Sequence, residues 1–225
     1  MIMEEERKKI VEFSKKMLTS GLTKGTAGNI SIYNEELAYM AISPSGIPYE
    51  ETKAEDIVVM DLDKNIIEGH RKPSSECDLH IELYKTKDAK SVVHTHSMYC
   101  TVLACLNQPL KAIHYVLADA GVSTVPVAPY RTYGTRDLAD AVCETMGPSK
   151  ACLMANHGMI ACGPSIESAF SLATTCEWVA EVQWKAMAVG SPIYLSDGDM
   201  EIVKNKFRGY GQKKAEDEDI KGYFG

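Results

Sequence analysis

Two histidines two residues apart, His94 and His96 in Val92-Val93-His94-Thr95-His96, have the spacing of a metal-ligand pair. β-branched residues lead into them, and the run reads as a strand. Strand side chains alternate faces, so residues two apart point the same way. Neutral imidazole suits a borderline cation such as zinc. A catalytic zinc site takes three protein ligands and leaves one position open. The pair therefore asks for a third ligand and a base. Taken alone, it reads equally as a strand with two exposed polar residues.

His157 is the best third ligand. It sits in Asn156-His157-Gly158 between two apolar strand-like segments, and loops held by strands are where site residues concentrate. Gly158 allows a tight turn or a close backbone approach. Glu76, in Lys72-Pro73-Ser74-Ser75-Glu76, is the candidate base. The first turn of a helix offers free N–H groups and a positive dipole end. A carboxylate beside a metal could bind the ion or act as general acid and base. The competing reading is a plain helix cap, with Ser75 and Asp78 forming a capping box. His80 falls one turn after Glu76 on the same helix face. It reads as a satisfied core histidine, or else as a partner behind the site. His70 lies in a charged loop and reads as surface; His114 has no reading of its own.

Two further stretches, Gly25-Thr26-Ala27-Gly28-Asn29 and Ser43-Pro44-Ser45-Gly46, are rich in small donors. Backbone N–H groups with Ser and Asn side chains make neutral phosphate cradles. In isolation they read as turns. Neither fits the P-loop or the dinucleotide pattern.

The elements that must carry these residues alternate quickly. Residues 4–18 read as an amphipathic helix with Ile10, Phe13 and Met17 in its stripe, closed by Gly21. Strand-like segments follow at 30–33, 37–42 and 57–60. Pro73 opens a helix near 74–86, and 91–96 is the HxH strand. A helix then runs to about residue 106. Residues 123–127 look extended, with Pro126 marking an edge or an irregularity. A helix at 135–146 precedes strands at 151–154 and 159–161. The longest helix spans 164–189, and its stripe of Ile166, Ala169, Phe170, Ala173, Cys176, Ala180, Trp184 and Met187 reads as core. A last helix covers 196–207. There is no internal repeat and no interdomain linker. The expectation is a single-domain α/β sandwich over residues 1–212, with a central, mostly antiparallel sheet flanked by helices. Residues 213–225 read as a polar, solvated tail.

Composition fits one such domain: 225 residues, 45% hydrophobic and 24% charged, enough to bury a normal core. The net charge of −7 opposes binding to nucleic acid or to anionic membranes. The seven cysteines are odd in number and contain no CxxC. They read as buried reduced thiols of a cytoplasmic protein. The N-terminus is too acidic for a signal peptide, and no apolar run is long enough to span a membrane.

Jointly the motifs are far more specific than their parts. The ordered series GTAGNIS, SPSG, KPSSE, VVHTHS and NHG resembles the class II sugar-phosphate aldolases. Ala112-Ile113-His114-Tyr115 and the run 128–136 resemble the L-fuculose-phosphate aldolase branch in particular. The resemblance implies zinc on His94, His96 and His157. It implies that Glu76 is the acid/base and touches the metal when substrate is absent. Gly28, Asn29, Ser45, Gly46, Ser74 and Ser75 would bind the substrate phosphate. Tyr115, Tyr133 and Tyr210 would handle the aldehyde end, with Tyr115 acting at the C4 oxygen. It also implies a homotetramer with sites between subunits. The expected reaction is reversible cleavage of L-fuculose 1-phosphate, or a similar ketose 1-phosphate, to dihydroxyacetone phosphate and L-lactaldehyde. Zinc would act as a Lewis acid on the charge that moves into the C2 carbonyl.

Two positions depart from that branch. Ser45 stands in place of Thr and keeps the hydroxyl. Tyr133 stands in place of Phe and adds a hydroxyl at the aldehyde end. Three relatives compete: the ribulose-phosphate epimerases, which carry Asp at the position of Glu76; the methylthioribulose-phosphate dehydratases, which keep Glu; and a non-catalytic adducin-like head domain, which should lack the histidines.

Overall fold

The computed structural model describes residues 1–207. Acidic residues in its first turn and Lys16 in its last suit the dipole of α1 (Glu4–Thr19), which buries Ile10, Phe13 and Met17. The chain then forms β1 (Asn29–Asn34), β2 (Tyr39–Ile42), a 3-10 turn (Ala54–Asp56), β3 (Val58–Asp61) and β4 (Ile66–Glu68). Next come α2 (Cys77–Thr86), β5 (Ser91–Thr95), α3 (Met98–Cys105), β6 (Leu110–Lys111) and a second 3-10 turn (Tyr115–Ala120). After β7 (Thr124–Val125) and β8 (Val127–Ala128), the order is α4 (Arg136–Met146), β9 (Ala151–Met154), β10 (Gly158–Gly163), α5 (Ile166–Val189) and α6 (Asp197–Phe207).

Eight strands form one sheet in the order β4-β3-β2-β1-β5-β10-β9-β8. Every pairing in it is antiparallel except that of β8 with β9. The sheet is two-faced because its strands alternate. Val93 of β5, Ile30 and Ile32 of β1 and Met159 of β10 pack with α1, α3 and α5. Val92 of β5 and Ile160 of β10 pack with α2 and α4 on the other side. This is the expected helix-flanked sandwich. The same alternation puts Asn29, Ser31 and His94 on the α2 face.

Several local expectations change. Helix α2 starts at Cys77 rather than near residue 74, and Glu76 is its N-cap without a side-chain cap bond. The Ser75–Asp78 capping box does not form, because residues 73–75 belong to the sheet margin: Pro44 bridges Pro73, and Ser74 N–H donates to Ser43 O at 3.1 Å. Strand β2 begins at Tyr39, after a turn with Ala38 at positive φ. Strand β4 and both 3-10 turns carry no clear sequence signal. Pro126 does interrupt the extended run, separating β7 from the edge strand β8. The α5 stripe is buried from Ile166 to Ala180 except for partly buried Phe170, but Trp184 and Met187 are exposed, so the apolar core contact ends before the helix does.

Gly158 pins β10 against β5. A Cβ there would lie 2.3 Å from Thr95 O on β5, with His96 also in contact. Gly158→Ala is expected to cost about 2 kcal/mol by forcing β10 away from β5. Gly190→Ala, which meets nothing within 4 Å, should be near neutral. Urea unfolding of both variants checks this, and equal midpoints would refute it.

Candidate active site

Strand β5 ends at Thr95, and His96 follows directly. His94 is fully buried, which removes the reading of two exposed polar residues. Its Nδ1 lies 2.9 Å from Met159 O. A carbonyl only accepts, so Nδ1 carries the proton and Nε2 presents a lone pair. That Nε2 faces His96 Nε2 at 3.0 Å. His157, on the turn between β9 and β10, completes the group, with the three rings 4.8 to 4.9 Å apart by centroid.

The three ligand nitrogens lie within 4.8 Å of one another. Two nitrogens on a tetrahedral zinc stand about 3.3 Å apart. Lone pairs aimed at one another repel unless a proton or a cation lies between them. Glu76 supplies the negative charge: Oε2 is 3.2 Å from His94 Nε2, and Oε1 is 3.3 Å from His157 Nε2. Oε1 is buried and has no hydrogen-bond partner. An orphaned carboxylate oxygen beside three converging imidazoles fits a divalent cation. The carbonyl bond to His94 is the kind of outer contact that fixes a ligand's tautomer.

Electrostatics follow from this crowding. Burial alone would raise the Glu76 carboxyl. The adjacent His94 and His157, with a bond from Asn29, pull it well below the usual carboxylate range. Burial opposes charge on His94, but Glu76 overcomes it and raises that imidazole. Burial and the neighbouring His94 push His96 and His157 down to about 4.

Beside this cluster a cleft of about 370 Å³ brings together Gly28, Asn29, Ser45, Gly46, Ser74, Ser75 and Glu76 with His96 and His157. Its donor loops are preformed. Ser45 N–H donates to Lys72 O at 3.0 Å, joining the 43–46 turn to the 72–75 segment. The Tyr49 hydroxyl sits 2.8 Å from both Ala27 O and Gly28 O and holds the first loop. Gly28 has φ 79°, and a Cβ there would lie 2.6 Å from His94 O. Only glycine lets this loop lie against the ligand strand.

Tyr133 also lines the cleft. Tyr115 does not: it is exposed on the second 3-10 turn, its ring tilted against His114 with centroids 4.5 Å apart. Tyr210 lies outside the described residues. Thr26, Tyr130, Arg131 and Asn156 line the cleft as well. Sequence reasoning quoted all four within motifs but gave them no role, since a loop residue's neighbours depend on how the loops meet. His70 is exposed near Asp56, as expected of a surface residue.

Comparison with known proteins agrees with this geometry. Residues 8–184 match the family model for the class II aldolase and adducin N-terminal domain. The chain is 48% identical over 214 residues to 5-deoxy-D-ribulose 1-phosphate aldolase of Bacillus thuringiensis serovar kurstaki, covering 95% of this chain and 100% of that one. It is 38% identical over 211 residues to L-fuculose phosphate aldolase of Escherichia coli, covering 93% and 97%. Among solved structures, an L-fuculose 1-phosphate aldolase superposes with a TM-score of 0.90 at 41% identity, covering 92% of this chain and 98% of that one.

The buried histidines predict a pH response in metal-free protein. An unfolded imidazole takes up its proton near pH 6.5. His96 and His157 resist it until about 4, and His80 until about 3. Between these limits the unfolded chain binds more protons, so stability falls as pH drops from about 6.5 toward 4. His94 has the opposite sign and offsets only part of this. Melting temperatures of chelator-treated protein across this range test it, and a flat profile contradicts it. The match over most of the chain and the shared fold give one assignment: this chain is an aldolase-type lyase and belongs to the class II aldolase and adducin N-terminal domain family.

Proposed function

We propose that the cleft carries out reversible retro-aldol cleavage of a ketose 1-phosphate to dihydroxyacetone phosphate and a short aldehyde. The observation that carries this reading is a buried carboxylate, Glu76, standing between three imidazoles and a wall of preformed backbone and hydroxyl donors. The donor loops around Asn29, Ser45, Ser74 and Ser75 suit the phosphate of the ketose end. Binding there sets C3 beside Glu76, and the gain is one of orientation. Zinc on His94, His96 and His157 would supply Lewis-acid stabilisation of the negative charge that C–C cleavage moves onto the ketose oxygens. In the synthesis direction ionised Glu76 takes a proton from C3 of dihydroxyacetone phosphate, C3 bonds to the aldehyde carbon, and a tyrosine hydroxyl gives its proton to the new C4 oxygen; cleavage reverses these steps, and the proton passes back between the tyrosine and Glu76 through solvent. Oε1, free of other bonds, is the oxygen suited to that transfer.

The closer identity to the 5-deoxyribulose 1-phosphate enzyme ranks that substrate first, ahead of L-fuculose 1-phosphate. The two share the phosphate end and differ in the aldehyde released, acetaldehyde against lactaldehyde. Tyr115 is read as serving a neighbouring subunit of a homotetramer. It is exposed and packs against His114, whose ring also meets exposed Trp178, and it does not line its own chain's cleft. The free cysteines and the lack of a membrane-length apolar helix among the described residues accord with a cytoplasmic enzyme. The three histidines count against the adducin-like alternative.

Incubation with a panel of ketose 1-phosphates should yield dihydroxyacetone phosphate and aldehyde, fastest from 5-deoxyribulose 1-phosphate. An epimer or a dehydrated ketone as product would select one of the competing relatives instead. Chelation should abolish turnover, and Glu76→Gln should reduce kcat by about 100-fold or more. Full activity in either sample would sink the mechanism. If Tyr115 acts across subunits, co-refolding inactive Glu76→Gln with inactive Tyr115→Phe should restore activity to about a quarter of the sites. No recovery from the mixture would place both groups in one chain.

A further inference from the structure

A line of buried polar side chains runs back from Glu76 into the interface between β1 and α2. Glu76, His80 and Tyr84 are spaced four apart along the helix, and Asn29 and Ser31 two apart on the strand. Four helical residues rise about 6 Å and two strand residues about 6.6 Å, so the ladders are nearly commensurate. They interdigitate. Asn29 Nδ2 donates to Glu76 Oε2 at 2.9 Å. Asn29 Oδ1 meets His80 Nε2 at 2.5 Å, and His80 Nδ1 meets Ser31 Oγ at 2.6 Å. Ser31 Oγ also meets the Tyr84 hydroxyl at 2.5 Å. All five residues are buried, His80 and Ser31 completely.

The proton positions follow from the acceptor at one end. An ionised carboxylate only accepts, so the Asn29 amide must present its nitrogen to Glu76 and its oxygen to His80. His80 must then donate from Nε2, which leaves Nδ1 to accept from Ser31. Ser31 in turn accepts from Tyr84. Each contact in this line then pairs a donor with an acceptor, and one direction satisfies all four. Burial keeps His80 neutral, with its pKa down to about 3. A neutral imidazole is what a one-donor, one-acceptor position requires.

We propose that His80, Ser31 and Tyr84 are positioning residues that lock the Asn29 amide onto Oε2 of Glu76 and so keep Oε1 as the proton-transferring oxygen. This rests on the aldolase reading for its role, but the relay itself is a property of the folded chain. Without His80 the Asn29 amide is free to rotate. Glu76 then loses its fixed orientation beside C3, and a misplacement of about 1 Å is enough to slow a proton transfer substantially.

Nitrogen-edited NMR of the intact protein, with His80 assigned by its loss in His80→Gln, tests the relay. His80 should be the neutral, Nε2-protonated tautomer from pH 5.5 to 8.5; an imidazolium or an Nδ1-protonated ring overturns the proposal. The role is read from kinetics on the best substrate of the panel. His80→Leu should lower kcat about tenfold while KM stays within about twofold. His80→Gln, which keeps an N–H toward Asn29, should recover most of that loss at a similar melting temperature. Tyr84→Phe should lower kcat about two- to threefold, and it serves if His80→Leu does not fold. Unchanged kcat in the folded variants, or a rise in KM alone, overturns the proposal. If wild-type protein cleaves none of the panel, the aldolase reading fails instead, and the NMR result still decides the relay.

Discussion

A carboxylate buried among three imidazoles sets the terms for the rest of the molecule. Removing an ionised carboxylate from water costs several kcal/mol unless charge and hydrogen bonds compensate it. At Glu76 the compensation is specific: Asn29 serves one oxygen, His94 and His157 stand beside the pair, and Oε1 stays unbonded. A protein selected only for stability would replace such a group with an apolar side chain. Keeping it requires a frame that brings β1, β5, β10 and the start of α2 to one point.

The frame does this with central strands. β1, β5 and β10 are neighbours in the middle of the sheet, where register is hardest to shift because both faces are buried. Asn29 pairs with His94 across β1 and β5, and Thr95 pairs with Met159 across β5 and β10. A slip of one residue in β1 or β5 would turn Asn29 or His94 into the opposite core. Where the strands need close approach, Gly28 and Gly158 lack the Cβ that would collide with a carbonyl of the ligand segment.

What could be read in advance follows from how local each signal is. The strand period gave His94 and His96 a common direction, and it holds through the end of β5. His157 was legible as a histidine on a turn between apolar runs. The layered α/β sandwich was legible from alternating periodicities. The start of α2 was not, because Ser75-x-x-Asp78 has the spacing of a cap while the preceding residues are claimed by a bridge from Pro73 to Pro44, far away in sequence. The buried partners of His80 were invisible for the same reason. Their meeting depends on which strand α2 docks against, and neither ladder announces the other. Strand β4 escaped notice because it is short, exposed and held at the sheet edge.

The cleft has two unlike halves, and the difference bears on specificity. One half is built of backbone and small side chains tied to the sheet: the 25–29 loop under Tyr49, and the 43–46 turn stitched to 72–75. Such a wall can recognise only a constant feature of the substrate, and on the proposed reading that feature is the ketose phosphate. The other half includes Tyr130, Arg131 and Tyr133, on a segment with no regular structure, and both tyrosines are exposed. Exposed aromatic side chains on a loop can be exchanged without disturbing the buried carboxylate or its ligand strands. Relatives whose named substrates share one end and differ at the other are what such a division allows. On the proposed reading this second half meets the aldehyde end, and it is where this chain can differ from its relatives at least cost, with Tyr133 already inside the cleft.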